Sequence, residues 1–119
     1  MNDQDTTISQ LKARMSAFVR ERDWDQFHRP KNLAMSIAIE AAELMERFQW
    51  VTPEASDDLA AEERAKISEE LADVVIYALY LSNRLSIDLT EAILAKTERN
   101  ASRYPVQLVR GRADHNPSD

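Results

Sequence analysis

Residues 71–81, which read LADVVIYALYL, constrain the fold of this chain more than any other segment. A single aspartate, Asp73, interrupts an otherwise apolar run. A helix that is apolar nearly all round must be covered on all sides. An unpaired carboxylate in such surroundings costs several kcal/mol or takes up a proton. The segment therefore predicts a core helix whose aspartate needs a compensating partner.

The apolar periodicity and the cap-forming residues predict an all-α chain. The expected helices run over residues 7–22, 33–50, 62–84 and 89–102. Asn32 is the expected N-cap of the second helix, and Asp88 with Glu91 makes a capping-box-like start to the fourth. The acidic stretch 54–61 is expected to be a solvated loop or a loose turn.

Chain length and the break at Pro105 suggest one domain followed by a tail. The 119 residues suit a single domain with a core of its own. We expect residues 1–106 to form that domain and residues 107–119 to be an extended or disordered C-terminal tail. Four short helices would struggle to cover residues 71–81 on all sides. We therefore expect a four-helix bundle-like fold assembled as a helical oligomer, with a monomeric bundle as the alternative.

The composition excludes several classes of function. The chain has no cysteine, which excludes disulfides and thiolate metal sites and favours a reducing compartment. The net charge of −6 argues against binding to a nucleic-acid polymer, and a single glycine rules out a P-loop or Rossmann phosphate loop. Because no apolar run could cross a bilayer and no secretion signal is evident, we expect no membrane partner and a cytoplasmic location.

Two pairs of acidic residues, each three residues apart, lie within apolar helical segments. Glu40 and Glu43 belong to the second predicted helix, and Glu70 and Asp73 to the third. Residues three apart share one face of a helix, so packing these two helices together would gather four carboxylates. Like charges repel unless cations bind, and all-oxygen ligation suits Mg²⁺, or Mn²⁺ as a substitute, rather than zinc.

Spacing alone leaves other interpretations of these acids open. Glu43 and Arg47 have the i,i+4 spacing of an ordinary helical ion pair. A helical di-iron centre needs Glu-x-x-His, and neither His28 nor His115 has that spacing. The other glutamates of these helices are expected to be solvated surface charges: Glu46, Glu62, Glu63 and Glu69. A metal site and a surface role are equally open at this stage.

A metal site of this kind, together with two tryptophans, favours chemistry on nucleotides. Mg²⁺ held by carboxylates keeps coordination positions that substrate phosphates fill, which suits phosphoanhydride hydrolysis. Trp24 precedes the second predicted helix and Trp50 ends it. An aromatic pair could stack a base, worth about 1–3 kcal/mol per base. Either tryptophan taken alone could equally fill a gap in the core.

The order of these motifs resembles that of a known family. Glu40-Ala-Ala-Glu43 followed by Glu70-Leu-Ala-Asp73 is similar to the ExxE…ExxD signature of the all-α nucleoside triphosphate pyrophosphohydrolases, the MazG-like group. Within that group the chain looks closest to the dCTP pyrophosphatases. The supporting stretches are RDWDQFH at 22–28, FQW at 48–50, EELADVVIY at 69–77 and RYPV at 103–106.

The resemblance implies a Mg²⁺-dependent enzyme that cleaves a nucleoside triphosphate to monophosphate and pyrophosphate, by attack of water on the α-phosphorus. The implied Mg²⁺ ligands are Glu40, Glu43, Glu70 and Asp73, and the residue that activates water is left open among them. The implied base pocket contains Trp24, His28, Trp50 and Tyr77. The implied phosphate-side residues are Lys96, Asn100, Arg103 and Tyr104. Without the family, Lys96 would be a favourable charge near a helix C-terminus.

One departure from the family pattern concerns base selectivity. Met15 stands where the dCTP enzymes carry a histidine, which puts a strict cytosine preference in doubt. We therefore predict hydrolysis of dCTP or a base-modified dCTP by a homodimer or homotetramer, the assemblies that the family implies. The same reaction on another nucleotide, such as dUTP or a damaged one, is an alternative. A non-catalytic helical adaptor that binds ions is the alternative from another class.

Overall fold

The structure, a computed structural model, describes residues 1–113, and over that range it contains helices and no strand. The helices are α1 (Ile8–Glu21), α2 (Pro30–Glu46), α3 (Pro53–Ser56), α4 (Ala61–Arg84), α5 (Leu89–Arg103) and α6 (Val106–Val109), with a 3₁₀ turn at Asp25–Phe27. The all-α prediction is confirmed.

Local capping chemistry determines where several helices begin. Thr7 forms a capping box with Gln10 at the start of α1. At α5, the Asp88 carboxylate accepts a hydrogen bond of 2.9 Å from the Glu91 backbone N–H, as predicted. The predicted cap at Asn32 is wrong because α2 begins two residues earlier, at Pro30. Proline suits a first helical position, where its missing N–H would have had no partner anyway.

Three further predictions of secondary structure need correction. Helix α2 ends at Glu46 rather than at Trp50, and residues 47–50 form turns. Part of the predicted loop 54–61 is the short helix α3, whose N-cap Thr52 accepts a hydrogen bond from the Ala55 backbone N–H. Part of the predicted tail is α6, a single helical turn after Pro105. Residues 114–119 of the predicted tail lie outside the described residues.

The chain divides into two compact units, the first from Met1 to Ser86 and the second beginning at Ile87. In the first unit α4 packs along α2 and also contacts α1. Buried Val19, Leu33 and Tyr80, one from each of these three helices, form the core of the unit. Partly buried side chains that pack against this core are Met15, Ile76, Tyr77 and Leu81.

The apolar segment 71–81 of α4 is unevenly buried within residues 1–113. Leu79 and Tyr80 are buried, whereas Leu71 and Val75 are 51% and 48% exposed. Part of this apolar face is therefore open to solvent, and the predicted helical oligomer stays a prediction. No helix in residues 1–113 is long and apolar enough to cross a membrane.

Candidate metal centre

Three carboxylates from two helices meet where α2 packs against α4. Glu40 and Glu43 come from α2 and Glu70 from α4, and one oxygen of each lies within 4.8 Å of the others. Glu40 and Glu70 are half-buried on the packing faces of their helices, and Glu43 is exposed at the edge. Because residues three apart share one face of a helix, Glu40 and Glu43 of α2 supply oxygens to the same point as Glu70 of α4.

Two carboxylate oxygens of this cluster are buried and have no hydrogen-bond partner in the described part of the chain: Oε2 of Glu40 and Oε2 of Glu70. A buried acceptor left unpaired costs about 1–3 kcal/mol, and more when it is charged, so such atoms are rare in folded proteins. A cation would supply the missing partner. Because all the donor atoms are carboxylate oxygens, the residues present fit a hard divalent ion.

The electrostatics of the cluster point the same way. The hydrogen bond and the charge of Glu40 raise the pKa of the Glu43 carboxyl above its usual value. Burial, followed by the charge of Glu43, raises the pKa of the Glu70 carboxyl. Crowded carboxylates behave in this way because their like charges cannot all be accommodated without a proton or a cation.

The fourth predicted ligand, Asp73, lies apart from this group. It is half-buried on α4, three residues after Glu70, and is not among the three residues whose oxygens converge. Its charge nevertheless helps to raise the pKa of Glu70. Asp73 therefore borders the cluster at the end that leads along α4 towards Tyr77.

The structure gives Arg47 a partner that the sequence did not suggest. An i,i+4 pair with Glu43 was one open interpretation, and the prediction that Glu63 is a solvated charge is wrong. Instead, the Arg47 guanidinium donates from Nε to Oε1 of Glu63 at 2.9 Å and from Nη2 to Oε2 at 2.7 Å. The two residues are 16 apart, so no local pattern could have indicated this pair.

An aromatic cavity of about 250 Å³ adjoins the same two helices. Its lining consists of Trp24, Phe27, His28, Asn32, Leu33, Ser36 and Tyr77. Ser36 lies one turn before Glu40 on α2, and Tyr77 lies one turn after Asp73 on α4. The cavity therefore continues along the helices that carry the carboxylates. Phe27 and Ser36 were not predicted as site residues, although Ser36 has the i,i+4 spacing that puts it on the face of Glu40.

His28 belongs to this cavity as a neutral imidazole. Its ring centre lies 4.7 Å from that of Tyr80, whose ring in turn packs edge-on against Tyr77 at 5.4 Å. Burial lowers the pKa of His28 below its usual value; the charge of Asp25 opposes this effect and the charge of Arg84 adds to it. At neutral pH the ring can therefore donate one hydrogen bond and accept another.

Trp24 is positioned by the turn that ends α1. Asp23 has a left-handed φ of 53°, and its backbone N–H donates to the Arg20 carbonyl at 3.1 Å. The Trp24 N–H donates to the Val19 carbonyl, also at 3.1 Å, which completes a Schellman motif. The Phe18 ring packs edge-on against Trp24 at 5.8 Å. Trp24 is thus held at the cavity by both backbone and side-chain contacts.

A second cavity, of about 180 Å³, shares His28 with the first. Met15, Asn83 and Arg84 are among its lining residues. The Asn83 side-chain amide donates to the Lys12 carbonyl at 3.0 Å, so this amide is oriented by a fixed contact. Met15 therefore lines a polar cavity next to the aromatic one, and its effect on base selectivity stays a prediction.

One further predicted site residue belongs to the first unit, and four belong to the second. Trp50 is 88% exposed in the turn after α2 and does not line the cavity that contains Trp24. Lys96, Asn100 and Arg103 lie on α5 in the second unit, where Lys96 and Asn100 share a face. Tyr104 is the C-cap residue of α5, and its N–H donates to the Asn100 carbonyl at 2.8 Å.

The fold and the carboxylate cluster define a class of helical protein in which acidic residues that could hold a metal ion lie beside an aromatic cavity. The chain belongs to the MazG-like family, whose model matches residues 35–113. A pyrophosphatase from Archaeoglobus fulgidus has a similar structure, with a TM-score of 0.79 and 36% identity over 88% of this chain and 98% of that one.

Sequence relatives carry two kinds of name. The chain is 42% identical over 109 residues to dCTP pyrophosphatase 1 of Bos taurus and 41% identical over 106 residues to that of Homo sapiens. These matches cover 90% and 87% of this chain, which spans 64% and 62% of the two relatives. It is 31% identical over 111 residues to a dATP/dGTP diphosphohydrolase of Cyanophage S-2L, covering 93% of this chain and 90% of that protein.

Proposed function

We propose that this protein is a Mg²⁺-dependent nucleotide pyrophosphohydrolase that converts a deoxynucleoside triphosphate to the monophosphate and pyrophosphate. The observation that carries the proposal is the pair of buried oxygens on Glu40 and Glu70, which have no hydrogen-bond partner within residues 1–113 and lie beside the Glu43 carboxylate. A purely structural cluster would have paired these atoms with donors. A site that binds a divalent ion leaves them for the ion.

Glu40, Glu43 and Glu70 would hold the ion, and Asp73 would join them as a fourth ligand or orient water beside it. A bound Mg²⁺ supplies charge neutralisation for the phosphate oxygens and a lowered pKa for bound water. Phosphate oxygens would bind the same ion as the three converging carboxylates. The position of the carboxylates would therefore determine where the triphosphate lies. We assign activation of the attacking water to these four carboxylates as a set.

The aromatic cavity is the proposed base pocket. Trp24 provides a ring face on which a base can stack, and neutral His28 provides both a donor and an acceptor for a base edge. Since the cavity adjoins α2 and α4 next to the carboxylates, a base bound there would direct its triphosphate along both helices. Lys96 and Asn100 on α5 remain predicted phosphate-side residues.

The proposed substrate is dCTP or a base-modified dCTP, which rests on the names of the bovine and human relatives. A purine deoxynucleoside triphosphate is the second candidate. It is favoured by the cyanophage relative, which this chain matches over 90% of that protein's length. Met15 lines the neighbouring cavity that shares His28, and because its thioether is only a weak hydrogen-bond acceptor it would contribute little to reading a base edge.

The predicted cytoplasmic location remains a prediction. We further propose that the active form is a homodimer or homotetramer. Exposed apolar pairs support the assembly: Met35 and Ile39 on α2 are each 56% exposed, and Leu71 and Val75 on α4 are about half exposed. Light scattering at micromolar concentration should give at least a dimer mass. A Leu71→Ser/Val75→Ser variant should shift towards the monomer, and a monomeric wild type would contradict the proposal.

The test of function is a panel of canonical and base-modified dNTPs and NTPs with Mg²⁺, in which pyrophosphate and orthophosphate are both measured. We expect pyrophosphate release, fastest with dCTP or a modified dCTP. Release of orthophosphate would exclude this reaction class, and preference for dATP or dGTP would favour the second candidate. No turnover with any nucleotide would favour the ion-binding adaptor.

A further inference from the structure

The Arg47–Glu63 ion pair is a strong charge contact beside the carboxylate cluster that the proposed reaction does not use. Both hydrogen bonds are short, at 2.9 and 2.7 Å, so Nε and Nη2 of Arg47 bind the Glu63 carboxylate as a bidentate pair. The two side chains are only 30% and 31% exposed. Arg47 is the C-cap residue of α2 and Glu63 lies in the first turn of α4. The pair therefore joins the two helices that carry the cluster.

Helix geometry places this pair next to the proposed metal ligands. Arg47 follows Glu43 by four residues, which is one turn on the same face of α2. Glu63 precedes Glu70 by seven residues, which is two turns on the same face of α4. The guanidinium is near enough to the cluster that its charge partly offsets the raised pKa of Glu70. Arg47 is thus a positively charged residue at one end of the carboxylate cluster.

An arginine in this position is a potential competitor for the site. Without Glu63, its fork could turn to Glu43 at i,i+4 or to the unpartnered oxygen of Glu70. A guanidinium bound there would neutralise the carboxylates that a divalent ion needs. Glu63 accepts hydrogen bonds from Nε and Nη2, two of the three guanidinium nitrogens, and so fixes the orientation of the whole group.

We propose that Glu63 is a positioning residue that withholds the Arg47 guanidinium from the Glu40–Glu43–Glu70 cluster and so keeps those carboxylates free for a divalent cation. The inference rests on the proposed metal site, and it adds a residue outside the ligand set that determines whether the site can bind metal. It differs from a simple helix clamp, in which either partner would matter equally.

The proposal predicts an unequal effect of the two partners. Glu63→Gln should release Arg47 and weaken Mn²⁺ binding roughly tenfold, because an internal cation then competes for the carboxylates. Arg47→Gln should leave Mn²⁺ affinity equal to the wild type or tighter, since it removes that competitor. The double variant Arg47→Gln/Glu63→Gln should bind Mn²⁺ more tightly than Glu63→Gln alone. A clamp would instead give similar losses in all three variants.

The experiment is Mn²⁺ titration of the full chain without nucleotide, followed by electron paramagnetic resonance and calorimetry. Glu62→Gln is the matched control, because Glu62 is the neighbouring glutamate and forms only an exposed contact of 3.9 Å with Lys66 on its own helix. Its Mn²⁺ affinity should equal that of the wild type. Circular dichroism checks that each variant folds, and Glu63→Asp, which retains the charge but shortens the reach, replaces a Glu63→Gln protein that does not fold.

Two outcomes would overturn the inference in different ways. Equal weakening by Glu63→Gln and Arg47→Gln, with no recovery in the double variant, would overturn the positioning role alone and leave the metal site in place. Failure of the wild type to bind Mn²⁺ would overturn the proposed metal site itself, and this inference with it. If Glu63→Gln binds Mn²⁺ weakly and the double variant Arg47→Gln/Glu63→Gln recovers the affinity, the positioning role is supported.

Discussion

Glu40 on α2 and Glu70 on α4 each have one buried carboxylate oxygen with no hydrogen-bond partner in the described part of the chain. Packing two helices around such atoms opposes folding, since desolvated carboxylates lose their hydration without gaining donors. Proteins retain destabilising groups of this kind where function requires them. The relationship between these two residues is therefore best explained by a ligand, and it leads to the first two predictions.

Glu70→Gln should raise the melting temperature of the metal-free protein at pH 7 and also abolish activity. The amide removes a buried charge and the repulsion from Glu43, but it cannot neutralise Mg²⁺. We expect kcat to fall about 100-fold or more. Thermal unfolding in EDTA and pyrophosphate release measure the two effects. Glu69→Gln, an exposed neighbour, is the control, and a Glu70→Gln protein that melts lower than wild type would contradict the prediction.

The stability of the metal-free protein should depend on pH in a direction set by Glu70. Its pKa is raised in the folded state, so its contribution is fully present below the ordinary value of 4.5 and is lost as the pH rises through the folded-state pKa. In EDTA, the melting temperature of the wild type should therefore fall relative to that of Glu70→Gln above about pH 4.5. Saturating Mg²⁺ should remove this difference at pH 7. A difference in melting temperature between the two proteins that does not change with pH would contradict a raised pKa of Glu70 in the folded state.

Asp73→Asn separates a fourth ligand from a bystander. Because Asp73 lies outside the three converging carboxylates, we expect Mn²⁺ to bind with moderately weakened affinity, whereas kcat falls by about 100-fold. Asp58→Asn, in the exposed turn before α4, is the control for the loss of one negative charge. Full pyrophosphate release by Asp73→Asn would remove this residue from the proposed site.

Trp24 and Trp50 should differ in their effect on nucleotide binding. Trp24 lines the aromatic cavity, so Trp24→Ala should raise KM about 5- to 100-fold, as expected for the loss of one base-stacking contact. Trp50 is 88% exposed in the single chain, and Trp50→Ala should raise KM only if assembly brings this side chain to a cavity. Steady-state kinetics, together with the oligomer mass of each variant, separate these effects. An unchanged KM in Trp24→Ala would exclude the proposed base pocket.

The left-handed turn at Asp23 should show a marked preference among substitutions. Asp23→Val should lower the free energy of unfolding by about 1 kcal/mol, because a β-branched side chain is disfavoured at φ 53°. The free energy of unfolding of Asp23→Gly should exceed that of Asp23→Val by at least about 1 kcal/mol, since glycine adopts this conformation without strain. Urea unfolding measures both values. Equal stability of the two variants would show that the turn changes conformation when Asp23 is replaced.

Much of the secondary structure and two of the three carboxylates of the cluster follow from local patterns. The i,i+3 spacing of Glu40 and Glu43 is enough to put both on one face of α2, and the carboxylate of Asp88 is enough to begin α5. The start of α2 was misjudged because Asn32 is also a good capping residue, whereas Pro30 two residues earlier already suits the first turn. Competing local signals of similar strength can be resolved only by the chain around them.

Local patterns are enough to predict that this protein is helical, that two of its helices carry paired acids, and that one of them is too apolar to be exposed on all sides. These properties depend on residues within one or two turns of each other. The tertiary fold brings Glu70 to Glu40 and Glu43 and leaves Asp73 beside them. It also decided that Arg47 pairs with Glu63 rather than with Glu43. The physical reason is that contacts between helices depend on how two helices cross, which no spacing along one helix specifies.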